Sequence, residues 1–317
     1  MFNTYSRPSN PDLHLEDSPY LLDEHGPVFI VGCPRSGTSF LSKCLGSLDD
    51  VEAFSGGLCP PRMCHMLSVE TDESRRLELL ATIRDSLWFA LWQRRCFRSN
   101  RLLQFFEGQK GISNVIGKAS LDGVLLAYKE PFLCFPLERV VDHFPASKVI
   151  HIVRDGRDNA DSLMRTYPNA LSDRVLSNDF LTLNNNSEIG MWKKGRGGKN
   201  VPWWVKPEQE EEFLAASQYE RFMMLWCVMT KCVLDVQPRI ADRFLEVKYE
   251  AFVADPMAWG KRIAEFLGVP EGGRYRSNLR KARTSSVAIS KANQPPEVID
   301  RGTTAALPCL RRFGYER

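Results

Sequence analysis

No stretch of this sequence strings together the roughly 18 apolar residues that a membrane helix needs, so no transmembrane anchor is expected. The most apolar helical segment, residues 221–236, is short and carries Lys231, and it reads as a buried core helix that includes Trp226. No pair of the nine cysteines (33, 44, 59, 64, 96, 134, 227, 232 and 309) has the CxxC spacing of a zinc or redox site. Scattered and odd in number, they read as reduced thiols of a cytoplasmic protein, and no metal-ligand cluster accompanies them. An excess of one charge is missing too: 42 basic against 39 acidic residues leave a net +3. Binding to nucleic acid through bulk charge is thereby excluded, and any cationic site must be local. The opening MFNTYSRPSNPDLHLEDSPY lacks the apolar core of an export signal, and residues 1–26 read as an extended arm. The sequence has no internal repeat and no low-complexity tract.

What is there begins at Pro27. The segment PVFIVGCPRSGTSFLSKCLGSL reads as a buried strand, Val28–Val31, a glycine-framed turn over residues 32–37, and a hydroxyl pair opening a helix over residues 39–48. That plan brings backbone N–H groups and a helix N-terminus together on an anion. Loops of this kind that hold ATP end in G-K-[ST], and their Lys reaches the outer phosphates. Here Thr38 stands in the Lys position, and a cation, Arg35, sits inside the loop. The triphosphate end of ATP is therefore not the expected anion.

Downstream, residues 73–97 have helical periodicity, and Lys129-Glu130-Pro131 ends an element because the residue before proline avoids the helical region. A helix over residues 137–144 leads to KVIHIV, Lys148–Val153, an apolar β-branched run expected as a second central parallel strand. Residues 157–166 then suit a helix. Residues 167–212 read as a long structureless insert, polar and glycine-rich, with Trp192, Trp203 and Trp204 as aromatic anchors. A helix to Val236, a strand over residues 244–249 and a helix Pro256–Leu267 follow; residues 285–317 show turns and little periodicity. The fold class expected is α/β, a P-loop-like central parallel sheet flanked by helices on both faces, in a single domain over residues 27–317.

The second strand–turn–helix unit, VRDGRDNADSL, puts Arg154 at the strand end and Ser162 about two helical turns further on. Charged turns of this sort are common, but a second anion-binding turn at the end of a parallel strand suits a nucleotide with phosphates at two positions. With PRSGTSFL, it makes the chain resemble the PAPS-dependent sulfotransferases, especially the bacterial members and the tyrosylprotein sulfotransferases. The resemblance is discontinuous over residues 27–317. YKEPF with FPASKVIHIVRD resembles the family's K-x-P-F segment and next strand, and VKYEAFVADP resembles the segment before its last large helix. Ser290-Lys291 and Arg301 resemble a C-terminal loop that closes over the nucleotide.

The resemblance implies sulfuryl transfer from PAPS by in-line displacement, with PAP as product and no metal. It assigns the 5′-phosphosulfate to Arg35, Ser36, Gly37, Thr38 and Ser39, and the 3′-phosphate to Arg154 and Ser162. Tyr249, Ser290 and Arg301 complete the nucleotide site, and Lys129 neutralises the oxygen that leaves. The acceptor, expected to carry a hydroxyl, is less well marked. Tyrosylprotein members place a Glu-Glu pair after the first helix, where this chain has Ser55, Gly56 and Gly57; small-molecule members have a His just after the K-x motif, where Glu130-Pro131-Phe132 stand. His65, Glu52 and Glu130 are left as candidates for the base. Lys193, Lys194, Arg196 and Lys199 in the insert could attract an anionic acceptor to a pocket lined by the Trp residues. Two other readings stay open: a P-loop kinase or NTPase, with Asp155 holding magnesium, and a catalytically silent nucleotide-binding protein.

Overall fold

The computed structural model describes residues 26–96, 98–108, 110–111, 123–177 and 192–316; the expected arm at 1–26 lies outside them except for Gly26. Five strands form one sheet in the order β2-β3-β1-β4-β7: β1 (Val28–Val31), β2 (Val51–Ser55), β3 (Leu125–Lys129), β4 (Lys148–Val153) and β7 (Phe244–Lys248). Every pairing in it is parallel. The helices that matter for the site are α1 (Thr38–Leu45), α2 (Pro61–Val69), α3 (Glu73–Cys96), α4 (Leu137–His143), α5 (Gly156–Thr166), α6 (Gln218–Val236), α7 (Pro256–Leu267) and α8 (Pro296–Arg312).

The period of two along each strand divides the core between the two faces of the sheet. Val28 and Ile30 of β1, with Ile150 and Ile152 of β4, pack against Leu41 and Leu45 of α1 and Ile263 and Leu267 of α7. Phe29 and Val31, with Val149 and Val153, face the other way onto α2 to α6 and α8. All four residues of β1 are fully buried, which is why the strand reads as an unbroken apolar run rather than an alternating one. Helices on both faces of a parallel sheet match the expected fold class.

Three segments depart from expectation. Residues 192–202 are not structureless: β5 (Trp192–Lys194) pairs antiparallel with β6 (Asn200–Pro202). The tail contains the 17-residue helix α8. Its buried positions, Gly302, Ala306, Cys309 and Leu310, keep helical spacing but are mostly too small to register as an apolar stripe. A Cβ on Gly302 would lie 2.7 Å from the Tyr219 ring, so the missing side chain is what lets α8 close on α6. Third, Cys227 and Cys309 form a disulfide between α6 and α8, a correction to the reading of all nine cysteines as free thiols. Among the described residues no helix is long and apolar enough to cross a membrane.

Candidate functional site

All five strands of the main sheet end at one rim, and their carboxyl ends open into a cavity of about 640 Å³. After β1 comes the loop Pro34–Phe40, after β2 Gly56 and Gly57, at the end of β3 Lys129 and Glu130, after β4 Arg154, and after β7 Tyr249. This is the crevice where open parallel sheets take their ligands, because the loops after the neighbouring strands β1 and β4 lead to helices on opposite faces, α1 and α5.

The loop is held open for an anion. Gly37, at the N-cap of α1, has φ 100°, and no side chain caps the helix. The first intrahelical bond, from Leu41 N to Gly37 O, leaves the N–H groups of Thr38, Ser39 and Phe40 without helical partners. A Cβ on Gly37 would meet the Tyr249 ring at 2.6 Å, so loop and ring approach only through glycine. Arg35 sits at φ 75°, a left-handed backbone that costs roughly 1–3 kcal/mol in a residue with a Cβ. Its neighbours hold that conformation: Ser36 N donates to Cys33 O at 3.1 Å, Asn159 Nδ2 to Pro34 O at 2.9 Å, and Arg154 to Arg35 O at 3.2 Å. The exposed Arg35 side chain donates through Nε to Ser162 Oγ at 3.1 Å, which ties the two turns together.

Arg154 is 4% exposed and lies with its guanidinium 5.1 Å above the Tyr249 ring. It also donates to Ser286 O, and its Nε is buried without a partner. Trp226 supports this turn from behind. Its Nε1 donates to Arg154 O at 3.1 Å, and a Cβ on Gly156 would lie 2.7 Å from its ring. Arg35, Lys129, Arg154 and Arg165 give the cavity four cations; Glu130 is the one carboxylate among the described lining residues. Burial raises the Glu130 carboxyl to about 7, against the opposing pull of the Phe132 N–H and Lys129.

The acidic residues of the second turn do structural work. Asp155 caps α5 and grips the Arg157 guanidinium at 2.6 Å, which leaves it poorly placed to hold magnesium as the kinase reading requires. Asp158, buried, accepts from Ala288 N at 2.6 Å, Ser290 N at 2.9 Å and Ser290 Oγ at 2.7 Å. Asp161 accepts from Asn293 at 3.0 Å and Gln294 at 2.9 Å. Together they strap residues 286–294 across the turn. The Asp158→Ala variant is expected to lose about 2–3 kcal/mol in urea unfolding and to exchange amides faster in that strap. Unchanged exchange there would count against the strap.

The cavity therefore gathers Arg35, Gly37, Thr38, Ser39, Lys129, Arg154, Ser162 and Tyr249 from the expected site. Five others stand elsewhere. Ser36 is fully buried and accepts from Asn159 at 2.9 Å, bracing the loop from behind. Ser290 is spent on Asp158, and Arg301 is turned to Glu220 at 3.3 Å. Glu52 is corrected from candidate base to a buried anchor, 2.9 Å from Arg95 and 3.8 Å from Lys110. His65 packs at a tilt against Trp203 with centroids 4.7 Å apart and stays outside the cavity wall; burial holds its pKa below the usual value. The insert is likewise turned to its own packing: Lys193 pairs with Glu210 at 3.1 Å, Arg196 with Glu211 at 3.4 Å, and Trp204 is buried against Phe213. Sequence reasoning passed over Arg165 and Tyr167, cavity residues at and after the end of α5, and no motif marks them.

The chain is similar in sequence to known sulfotransferases. A sequence model of the Sulfotransferase family matches residues 27–195. Protein-tyrosine sulfotransferase 1 of Danio rerio is 22% identical over 324 residues, covering 94% of this chain and 75% of the relative. Among solved structures, the sulfotransferase domain of the Synechococcus PCC 7002 olefin synthase is 20% identical, covering 88% of this chain and 93% of its own, with TM-score 0.48. Sulfotransferase STF9 from Mycobacterium avium is 15% identical, with 93% and 80% covered and TM-score 0.44.

Proposed function

Because the chain belongs to the sulfotransferase family, we propose that it moves a sulfuryl group from 3′-phosphoadenosine 5′-phosphosulfate (PAPS) to a hydroxyl-bearing acceptor. The observation that carries this reading is the hydrogen bond of 3.1 Å from Arg35 to Ser162, which makes one site of two anion-binding turns. PAPS carries anionic groups at both ends of its sugar, and the residues present fit that demand. The buried, unpartnered Nε of Arg154 is an orphaned cationic donor that a 3′-phosphate would satisfy. Ser162 shares that end. Thr38, Ser39 and the free N–H groups of α1 face the 5′ side, with Arg35 between the two.

When bound, PAPS supplies a sulfuryl group attached to a phosphate leaving group. The chain then has to position the donor, bring a cation to the departing oxygen and receive a proton from the acceptor. Lys129, half-buried at the end of β3, suits the second task. Arg165 and Tyr167, with Phe132 and Pro131, line the side of the cavity left to the acceptor.

Binding of adenosine 3′,5′-bisphosphate (PAP) tests the donor. At a hundred times its Kd, PAP is expected to stabilise the protein by about 2.7 kcal/mol, read as a rise in Tm. ATP with magnesium is expected to give a much smaller rise. The reverse ranking would favour the kinase reading and sink this one.

A further inference from the structure

We propose that Glu130 is the base of this site, the group that takes the proton from the acceptor hydroxyl as the sulfuryl group moves; this rests on the sulfotransferase reading above. It fills a gap left where the sequence departs from the pattern it resembles. Gly56 and Gly57 replace a carboxylate pair and present no side chain to the cavity. Of the three candidates, Glu52 is occupied by Arg95 and His65 lies off the cavity wall, so Glu130 is the one the fold delivers.

Its two oxygens have different situations. Oε1 accepts from Phe132 N at 3.1 Å, a bond within the turn that follows β3, and this fixes the carboxylate plane. Oε2 makes no hydrogen bond to a described residue, and Glu130 is part of the cavity wall. The residue as a whole is 5% exposed, so the carboxylate is set in the wall with one acceptor left available. It follows Lys129 directly, and both side chains reach the cavity. The cation beneath the leaving oxygen and the base for the entering one are therefore consecutive residues, oriented by a single strand end.

The charged and titratable groups around it agree with this role. Lys129 lies beside it on β3, and Arg35, Arg154 and Arg165 reach the same cavity from the loop, β4 and α5. Behind it stand groups that stay neutral: the Tyr128 phenol of β3, the Cys64 thiol of α2 and the Cys134 thiol of the following turn, all pushed up by burial. With its own pKa near 7, the carboxyl can hold a proton taken from an alcohol or phenol better than an exposed carboxylate can.

The step balances without a further reactant. The acceptor oxygen forms its bond to sulfur as its proton passes to Glu130 Oε2. The bond from sulfur to the bridging oxygen breaks, and its electron pair stays on that oxygen, the 5′-phosphate of PAP. Glu130 then returns the proton to water.

The test compares the wild type with Glu130→Gln and Glu130→Asp. The amide of Glu130→Gln can keep the bond from Phe132 N while losing the basic oxygen. Transfer from labelled PAPS is followed to phenols of graded acidity, an alkyl alcohol and a methyl glycoside, alongside PAP binding by calorimetry and a carboxyl NMR titration. For the wild type, kcat/KM is expected to climb with pH through a midpoint near 7, because the ionised carboxylate is the active form. Glu130→Gln is expected to lower turnover about 10²–10³-fold for weakly acidic hydroxyls and far less for nitrophenol. The acid limb should flatten, and the carboxyl signal titrating near 7 should vanish, with PAP affinity held within about twofold. Glu130→Asp should keep the limb at a reduced rate. A loss equal for all acceptors with the acid limb intact would overturn the proposal. So would a wild type that binds PAP yet sulfates none of the hydroxyl probes. Failure of the wild type to bind PAP would instead remove the donor reading and this one with it.

Discussion

Replacing Lys129 with alanine is expected to lower kcat about 10²–10³-fold while raising the Kd for PAP only several-fold. The asymmetry follows from where the ammonium sits. Lys129 is half-buried at the cavity rim, and none of the hydrogen bonds or ion pairs found among the described residues uses its Nζ. A cation so placed, next to a charge that grows only as the S–O bond breaks, contributes most in the transition state. Loss of one such aimed donor typically costs about 3–4 kcal/mol of activation free energy. On the proposed reading, PAP would keep its contacts with the α1 loop, Arg35, Arg154 and Ser162. Single-turnover transfer from labelled PAPS, with calorimetry for PAP, separates the two quantities. Unchanged turnover would take Lys129 out of the chemistry, whereas no transfer by the wild type would favour the catalytically silent alternative.

Arg154→Ala is expected to act on binding instead, weakening PAP about 100-fold or more while adenosine 5′-phosphate changes little. That difference isolates the 3′-phosphate, which the second nucleotide lacks. Arg154 also donates to Arg35 O and Ser286 O, so a small loss common to both nucleotides is expected beside the large one specific to PAP. Arg154→Lys serves as the control: it keeps the charge and loses the forked geometry, and should recover only part of the affinity. Equal weakening of both nucleotides, measured by calorimetry, would place the 3′-phosphate elsewhere.

The parts of the fold legible in the sequence were those where one physical signal dominated. β1 and β4 are apolar runs with little else in them, and the glycine-framed loop and the helix starts carry their own punctuation. β2 and β3 were harder to read. VEAFS contains a carboxylate that is buried only because Arg95 and Lys110, far away in sequence, come to meet it. LLAYK is short of β-branched residues, so its strand character comes from pairing with β1 and β2 rather than from propensity. Long-range partners also account for expected site residues that stand outside the cavity. Ser290 lies close to the nucleotide turn but faces Asp158, and Arg301 finds Glu220; neither partner is visible in a motif. Glu130 was among the candidates from its place in KEPF. What the sequence did not show was that its two oxygens would have different surroundings.

The parallel pairing of β3 sets the reactive rim like a ruler. Lys129 is aligned with Ile30 on one side and Ser55 on the other. A slip of one residue would carry Lys129 and Glu130 together out of step with the loop after β1 and turn each to the opposite face of the sheet. Nucleotide affinity and turnover then report a geometric error of a single residue spacing, about 3.3 Å, that circular dichroism would not detect. For any library built on this scaffold, ligand-induced melting is therefore the proofreading assay: a variant that folds with its sheet out of step keeps its secondary structure and loses its response to PAP.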